Sequence, residues 1–162
     1  MSRGDAETGV ATLCAAIDVL HSRRYELLAT TMKLALTEGL LMRGQYERAL
    51  LNVDEATARV ESNGDVFHKP ELLRLKGNIL SSMPGADAAL AEAYYLESLE
   101  LAGRLSVRAW ELRTATSLTL LWSPQNRIGE AREVLAPVVG RFTEGFSTRD
   151  LLSARRLLEQ LG

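Results

Sequence analysis

The 162 residues carry a formal net charge of −2, with 46% apolar and 25% charged side chains, which fits one globular domain and excludes a disordered or fibrous chain. The charge balance gives no general pull toward nucleic acid or anionic lipid, and the lone Cys14 excludes an internal disulfide. No window approaches eighteen uncharged apolar residues and MSRGDAETG lacks the apolar core of a secretory signal, so the expectation is a cytoplasmic chain without a membrane-spanning helix.

Taken in chain order, the sequence reads as helix throughout. Val10, Leu13, Cys14, Ile17 and Leu20 form one apolar stripe at spacings of three and four, predicting a helix over residues 5–22. Leu27, Leu28, Met32, Leu34, Leu36, Leu40 and Leu41 fill a second helix, apolar on so much of its surface that it must be covered on more than one side. MRGQ ends it, with Gly44 as the permissive backbone. A third helix runs from Tyr46 to Ser62 and stops at SNGD. Pro70 opens a fourth at its first turn, where a missing N–H costs nothing, and SSMPGAD closes it. The fifth spans Ala88 to Gly103, the sixth Ser106 to Trp122, and the seventh Arg127 to Phe142, with Pro137 expected to kink or tighten its last turn. STRD reads as a capping start for the eighth, Thr148 to Leu161.

The third, fifth and seventh helices share a pattern. Ala49, Val53 and Ala56 match Ala91, Tyr95 and Ser98, and then Ala131, Leu135 and Val138, at steps of 42 and 40 residues. Each is small, large, then small or β-branched. The partner helix upstream carries Thr37, Gly77 or Thr119 at equivalent positions. Two antiparallel helices approach closely only where side chains are short, and a single pair cannot bury both of its apolar faces, so pairs must stack.

This small–large–small pattern with a turn glycine resembles the tetratricopeptide repeat, although the period, near 41, exceeds the usual length of about 34. The resemblance implies an all-α, right-handed solenoid of antiparallel helix pairs in a single domain: a half repeat over 5–23, pairs over 25–62, 70–103 and 106–142, and a capping helix over 148–161. ALTEGLLMRGQYERAL, PELLRLKGNIL, AEAYYLESLELA, RAWELRTATSLTLLW and the segment from GEAREVL to the end are similar to the C-terminal tetratricopeptide region of bacterial signalling ATPases that begin with an adenylate/guanylate-cyclase-like or winged-helix DNA-binding domain. SPQNR departs from that pattern, with Asn126 where a glycine is usual; asparagine reaches the same left-handed backbone at modest cost.

Catalytic chemistry finds no foothold. There is no GxxxxGK[ST] phosphate loop. His21, beside Arg23 and Arg24, and His68, before Pro70, lie outside any metal-ligand spacing, and Cys14 sits on an apolar stripe with no basic neighbour. Glu92, Glu97 and Glu100 read as a solvated face, and the pairs Arg23–Arg24 and Arg155–Arg156 are too short for a nucleic-acid footprint. Tyr95 and Trp122 occupy packing positions; Glu111 and Arg113 beside Trp110 are placed to tie neighbouring helices by ion pairs, and FTEGF folds the last helix back as a cap. No catalytic residue, metal or cofactor is therefore assigned.

What remains is surface. In a curved stack the first helices of each pair line the concave side, which places Thr31, Glu38, Glu71, Arg74, Asn78, Arg113 and Thr116 there. Acid, base and amide alternate along it, in a pattern suited to holding a peptide by its charges and backbone. The expectation is a non-catalytic protein-interaction module, the regulatory region of a bacterial signalling protein, binding a protein or peptide and neither nucleic acid nor membrane. The alternative is a small-molecule sensor, which requires an enclosed pocket with convergent polar groups. The first helix, read as half of a pair, leaves one flank uncovered and predicts self-association through helices one and two.

Overall fold

A computed structural model describes residues 3–22, 26–64, 66–85 and 87–162, with side chains described over 7–20, 28–64, 66–85 and 87–162. Among these residues every regular element is helical: α1 (Arg3–Ser22), α2 (Glu26–Met42), α3 (Tyr46–Asn63), α4 (Lys69–Ser82), α5 (Ala88–Arg104), α6 (Arg108–Trp122), a 3-10 turn (Ser123–Gln125), α7 (Ile128–Gly140) and α8 (Arg149–Gln160). The expected boundary residues 23 and 25, the pair Arg23–Arg24 and the side chains of His21 and Leu27 lie outside the described set.

Consecutive helices pack on one another, and their cross-links show that they run antiparallel. Asn52 bonds Thr37 while Glu55, further on, pairs with Lys33, further back. Tyr95 bonds Asn78 while Ser98 reaches the carbonyl of Pro70. Thr119 donates to the carbonyl of Ala131 and Glu111 pairs with Arg141. The helices divide into two layers. α4 touches both α2 and α6, and α6 touches α8, whereas α3, α5 and α7 make no comparable contact with each other. One layer is therefore continuous and the other is splayed, so the continuous layer is the inner one.

The small–large–small positions are the interior of this arrangement. Ala49, Val53, Ala56, Ala91, Tyr95, Ser98, Ala131, Leu135 and Val138 are all buried. So are Thr37 and Thr119 opposite them. The fit is closest in α4–α5, where Tyr95 lies against Gly77: a Cβ there would stand 2.5 Å from a ring carbon. The largest residue of the series faces the smallest.

Turns recur as well. Left-handed backbone occurs at Gly44, Gly85 and Asn126, in two equal steps of 41 residues. At Gly44 the turn is closed by Gly44 N–H to the carbonyl of Leu41 and Gln45 N–H to Leu40; at Asn126 the same bonds run to Ser123 and Trp122. These are Schellman turns, which satisfy the last carbonyls of a helix. A third joins α5 to α6, and there it corrects the expected start of the sixth helix. Ser106 has φ 55, its N–H bonds Gly103 and that of Val107 bonds Ala102. The residue belongs to the turn, and α6 begins at Arg108.

Pro137 lies in the last turn of α7, which ends at Gly140 with tightened bonds from the N–H groups of Arg141 and Phe142 to the carbonyls of Val138 and Val139. Two other local expectations need correction. Thr148 has the extended backbone of a cap, but its side chain makes no capping bond; the hydroxyl donates to the carbonyl of Gly145. Glu92 is not on a solvated face: it is half-buried and accepts two hydrogen bonds from Arg127, at the cap of α7. FTEGF does turn the chain back, with Gly145 at φ 71 and Phe142 packed on the α6–α8 core. No described helix is long and apolar enough to cross a membrane.

Candidate functional site: an inner-face groove

The continuous layer carries an open groove of about 750 Å³ lined by α2, α4, α6 and α8, with Tyr95 of α5. Because alternate helices run parallel, the C-terminal ends of α2, α4 and α6 gather at one end. That end is apolar, with Leu41, Met42, Leu120, Leu121 and Pro124 on the wall. Met42 is 65% and Leu120 58% exposed, unusual for large apolar side chains facing a common hollow. Glu38, Arg74 and Arg113 occupy the middle, and Arg149 and Asp150 enter from the start of α8.

The centre is an ion-pair cluster drawn from all four inner helices. Glu71 is buried at 1% exposure and Arg74 holds it by two hydrogen bonds, 2.8 Å from Nε to Oε2 and 2.6 Å from Nη2 to Oε1. Arg113 adds a contact to Glu71 at 2.5 Å, donates to Glu38 at 2.6 Å and approaches Asp150 at 3.6 Å. Arg74 also reaches Glu38, at 3.2 Å. A buried carboxylate is tolerated only with such partners, because desolvating a lone charge costs several kcal/mol or more. Burial by itself would lower the Arg74 pKa; the hydrogen bond and charge of Glu71, with Glu38 behind, hold it above its ordinary value instead. Beside the cluster Tyr95 donates to Asn78 at 2.8 Å and lies 3.2 Å from the Ser81 hydroxyl; burial pushes its phenol pKa up.

Five of the seven residues assigned to this face by spacing, Glu38, Arg74, Asn78, Arg113 and Thr116, line the groove. Glu71 lies beneath its floor. Thr31 is exposed on α2 but does not line it; seven residues before Glu38, it stands about 10 Å nearer the N-terminus of the helix, beyond the groove's end. Arg74 and Arg113 already bond carboxylates of the cluster, through Nε and Nη2 of Arg74 and through Nη1 and Nη2 of Arg113. Sequence reasoning missed the apolar end, Met42, Leu120, Leu121 and Pro124. Its signal was the exposure of large apolar residues at helix C-termini, which periodicity alone assigns to packing.

Arg127 anchors a second set of charges away from the groove. It bonds Glu92 at 2.7 and 2.9 Å and Glu130 at 2.9 and 2.7 Å, with Trp122 under its guanidinium at 4.4 Å. Its hydrogen bonds hold both carboxyls below their ordinary pKa. This joins α5 to α7 and reads as structural. No group of three or more His, Cys, Asp or Glu side chains among the described residues is arranged to hold a metal ion.

The geometry defines a class, an all-α chain of sequentially packed helices with a groove along its inner layer. Comparison with known proteins adds no family: no family model matches the chain, and no curated protein is significantly similar to it.

Proposed function

We propose that the chain is a non-catalytic interaction module, a tetratricopeptide-like right-handed solenoid whose inner groove receives a segment of a partner protein. The observation that carries this is the groove itself. It is open, spans four helices, and presents Met42 and Leu120 to solvent at one end. Exposed apolar side chains in a concave surface gain by being covered. The repeat reading is supported by the buried small–large–small positions and by the 41-residue spacing of the left-handed turn residues. An open groove weighs against a small-inducer sensor, which needs a pocket enclosing most of its ligand.

Selection of a phage-displayed library of random twelve-residue peptides on the intact chain tests the proposal. The expected binders lose at least tenfold affinity when Met42→Asp or Leu120→Asp is introduced. They keep it with Leu51→Asp or Leu96→Asp, exposed leucines of the outer helices. The reverse pattern would move the binding face to the outer layer.

The segment resemblance extends the proposal to a regulatory region of a larger bacterial signalling protein. Immunoblotting of source-cell lysate then shows a band several times larger than 17.8 kDa. A band at that mass makes the module a free adaptor. Self-association through α1 and α2 belongs to the same proposal.

A further inference from the structure

We infer that the segment held in the groove carries a basic side chain next to an apolar one, the apolar group between Met42 and Leu120 and the ammonium or guanidinium on Glu38. This rests on the groove reading above and adds the chemistry of the partner.

The central cluster is layered. Its cations are underneath, with the Arg74 and Arg113 side chains 6% and 27% exposed; its outer members are the carboxylates, Glu38 at 43% and Asp150 at 53%. Three carboxylates, Glu38, Glu71 and Asp150, share two guanidiniums. Both arginines converge on Oε1 of Glu38, so its Oε2 is unpaired among the described residues. Among the described residues Asp150 uses only Oδ2, at 3.6 Å. The cluster thus turns carboxylate acceptors outward while its guanidiniums bond inward, and an incoming cation completes it where an incoming anion meets carboxylate.

Position selects the neighbour. Glu38 precedes Met42 by four residues on α2, one turn, so the two share a face. The apolar end they adjoin is where α2, α4 and α6 terminate together, and helix C-termini carry partial negative charge. Arg149 is the cation on the groove wall that makes no ion pair among the described residues, and it starts α8 at the opposite end. The field along the groove therefore runs from Arg149 to the gathered C-termini, and orients a bound segment with its base toward Met42.

The library selection above, extended to charge variants, decides this. Enriched peptides should carry Lys or Arg within two residues of Leu, Ile, Met or Phe. Their affinity should fall at least fivefold with Glu38→Gln and at least twofold between 50 and 300 mM NaCl. Asp150→Asn is the companion variant should Glu38→Gln lower the melting temperature, because Asp150 is more exposed and holds one long contact. Enrichment of acidic or uncharged peptides that still depend on Met42 would overturn the basic-segment inference and leave the groove reading intact. Binders indifferent to Met42→Asp and Leu120→Asp, or no binders at all, would overturn both.

Discussion

At the scale of single residues, the contact of Tyr95 with Gly77 sets the approach of α4 and α5. A methyl at position 77 would collide with the ring, and the ring is held in place by hydrogen bonds of its hydroxyl to Asn78 and Ser81. Overpacking of this kind costs about 1–3 kcal/mol, against a helix-propensity gain of about 1 kcal/mol for alanine over glycine. Gly77→Ala should therefore lower the midpoint of chemical denaturation, and should become neutral or stabilising in a Tyr95→Leu background, where the obstructing ring is gone. An unchanged midpoint in the wild-type background would show that the helices slide apart freely. Glu92 gives a second residue-scale expectation. The Arg127 hydrogen bonds hold its carboxyl below the ordinary 4.5, so the unfolded chain takes up this proton first as pH falls. The resulting stabilisation is present above pH 4.5 and disappears as pH drops through the folded-state value. Glu92→Gln should cost about 1 kcal/mol at pH 7, the scale of a partly exposed pair, and the gap to wild type should narrow in urea titrations as pH falls below 4.5 and close below the folded-state value. A gap that persists there would assign the loss to packing.

Among elements, the turns show why some of the architecture is legible in sequence and some is not. Gly44 and Asn126 advertise left-handed backbone by residue type. Ser106 adopts the same conformation without advertising it, and the residues that follow the three turns, Gln45, Val107 and Arg127, share nearly the same φ, from −89 to −91. The Schellman bonds and the packing of α5 on α6 impose the turn there, over local preference. A non-glycine residue pays roughly 1 kcal/mol for left-handed backbone. Ser106→Gly should consequently raise stability by up to about 1 kcal/mol in urea denaturation, whereas Gly at the exposed helical position Arg104 should lower it by a similar amount. If Ser106→Gly destabilises, the serine contributes something the hydrogen-bond pattern of the turn does not show. The boundary of α6 was misplaced by this one residue type, while helix number and order followed from the three-and-four spacing of the apolar residues. The groove was legible to the same degree: equivalence to Thr37, Gly77 and Thr119 located its polar wall. It did not reveal that Glu71 sinks below the floor or that the arginines bond inward, because those depend on distances between helices far apart in sequence, such as the 75 residues between Glu38 and Arg113.

For the whole molecule, the two ends of the array differ. α8 closes one end with Arg156, Glu159 and Gln160 exposed beside a single large apolar side chain, Leu152. At the other end the inward stripe of α1 is covered by α2, with Val10 and Ile17 buried and Val10 within 3.1 Å of a Cβ built on Gly39. The outward side is mixed: Ala11, Ala15 and Val19 fall four apart on α1 and are exposed, with Leu28 and Ala35 on α2, while Glu7, Thr8, Thr12 and Asp18 are exposed beside them. Among the described residues α4 and α6 each have an inner-layer neighbour on both sides, and α2 has one on the side of α4. Stacked helix pairs need a polar outer face at a free end, and here an apolar strip through Val19 and Leu28 interrupts it. A second copy meeting it face to face about a two-fold axis covers both surfaces at once. Sedimentation of the full chain should then show a monomer–dimer equilibrium at high micromolar concentration, and Val19→Asp with Leu28→Asp should shift it to monomer without lowering the melting temperature of the dilute protein. A strictly monomeric mass at that concentration overturns the self-association reading and leaves untouched the groove, which is lined by no described residue of α1.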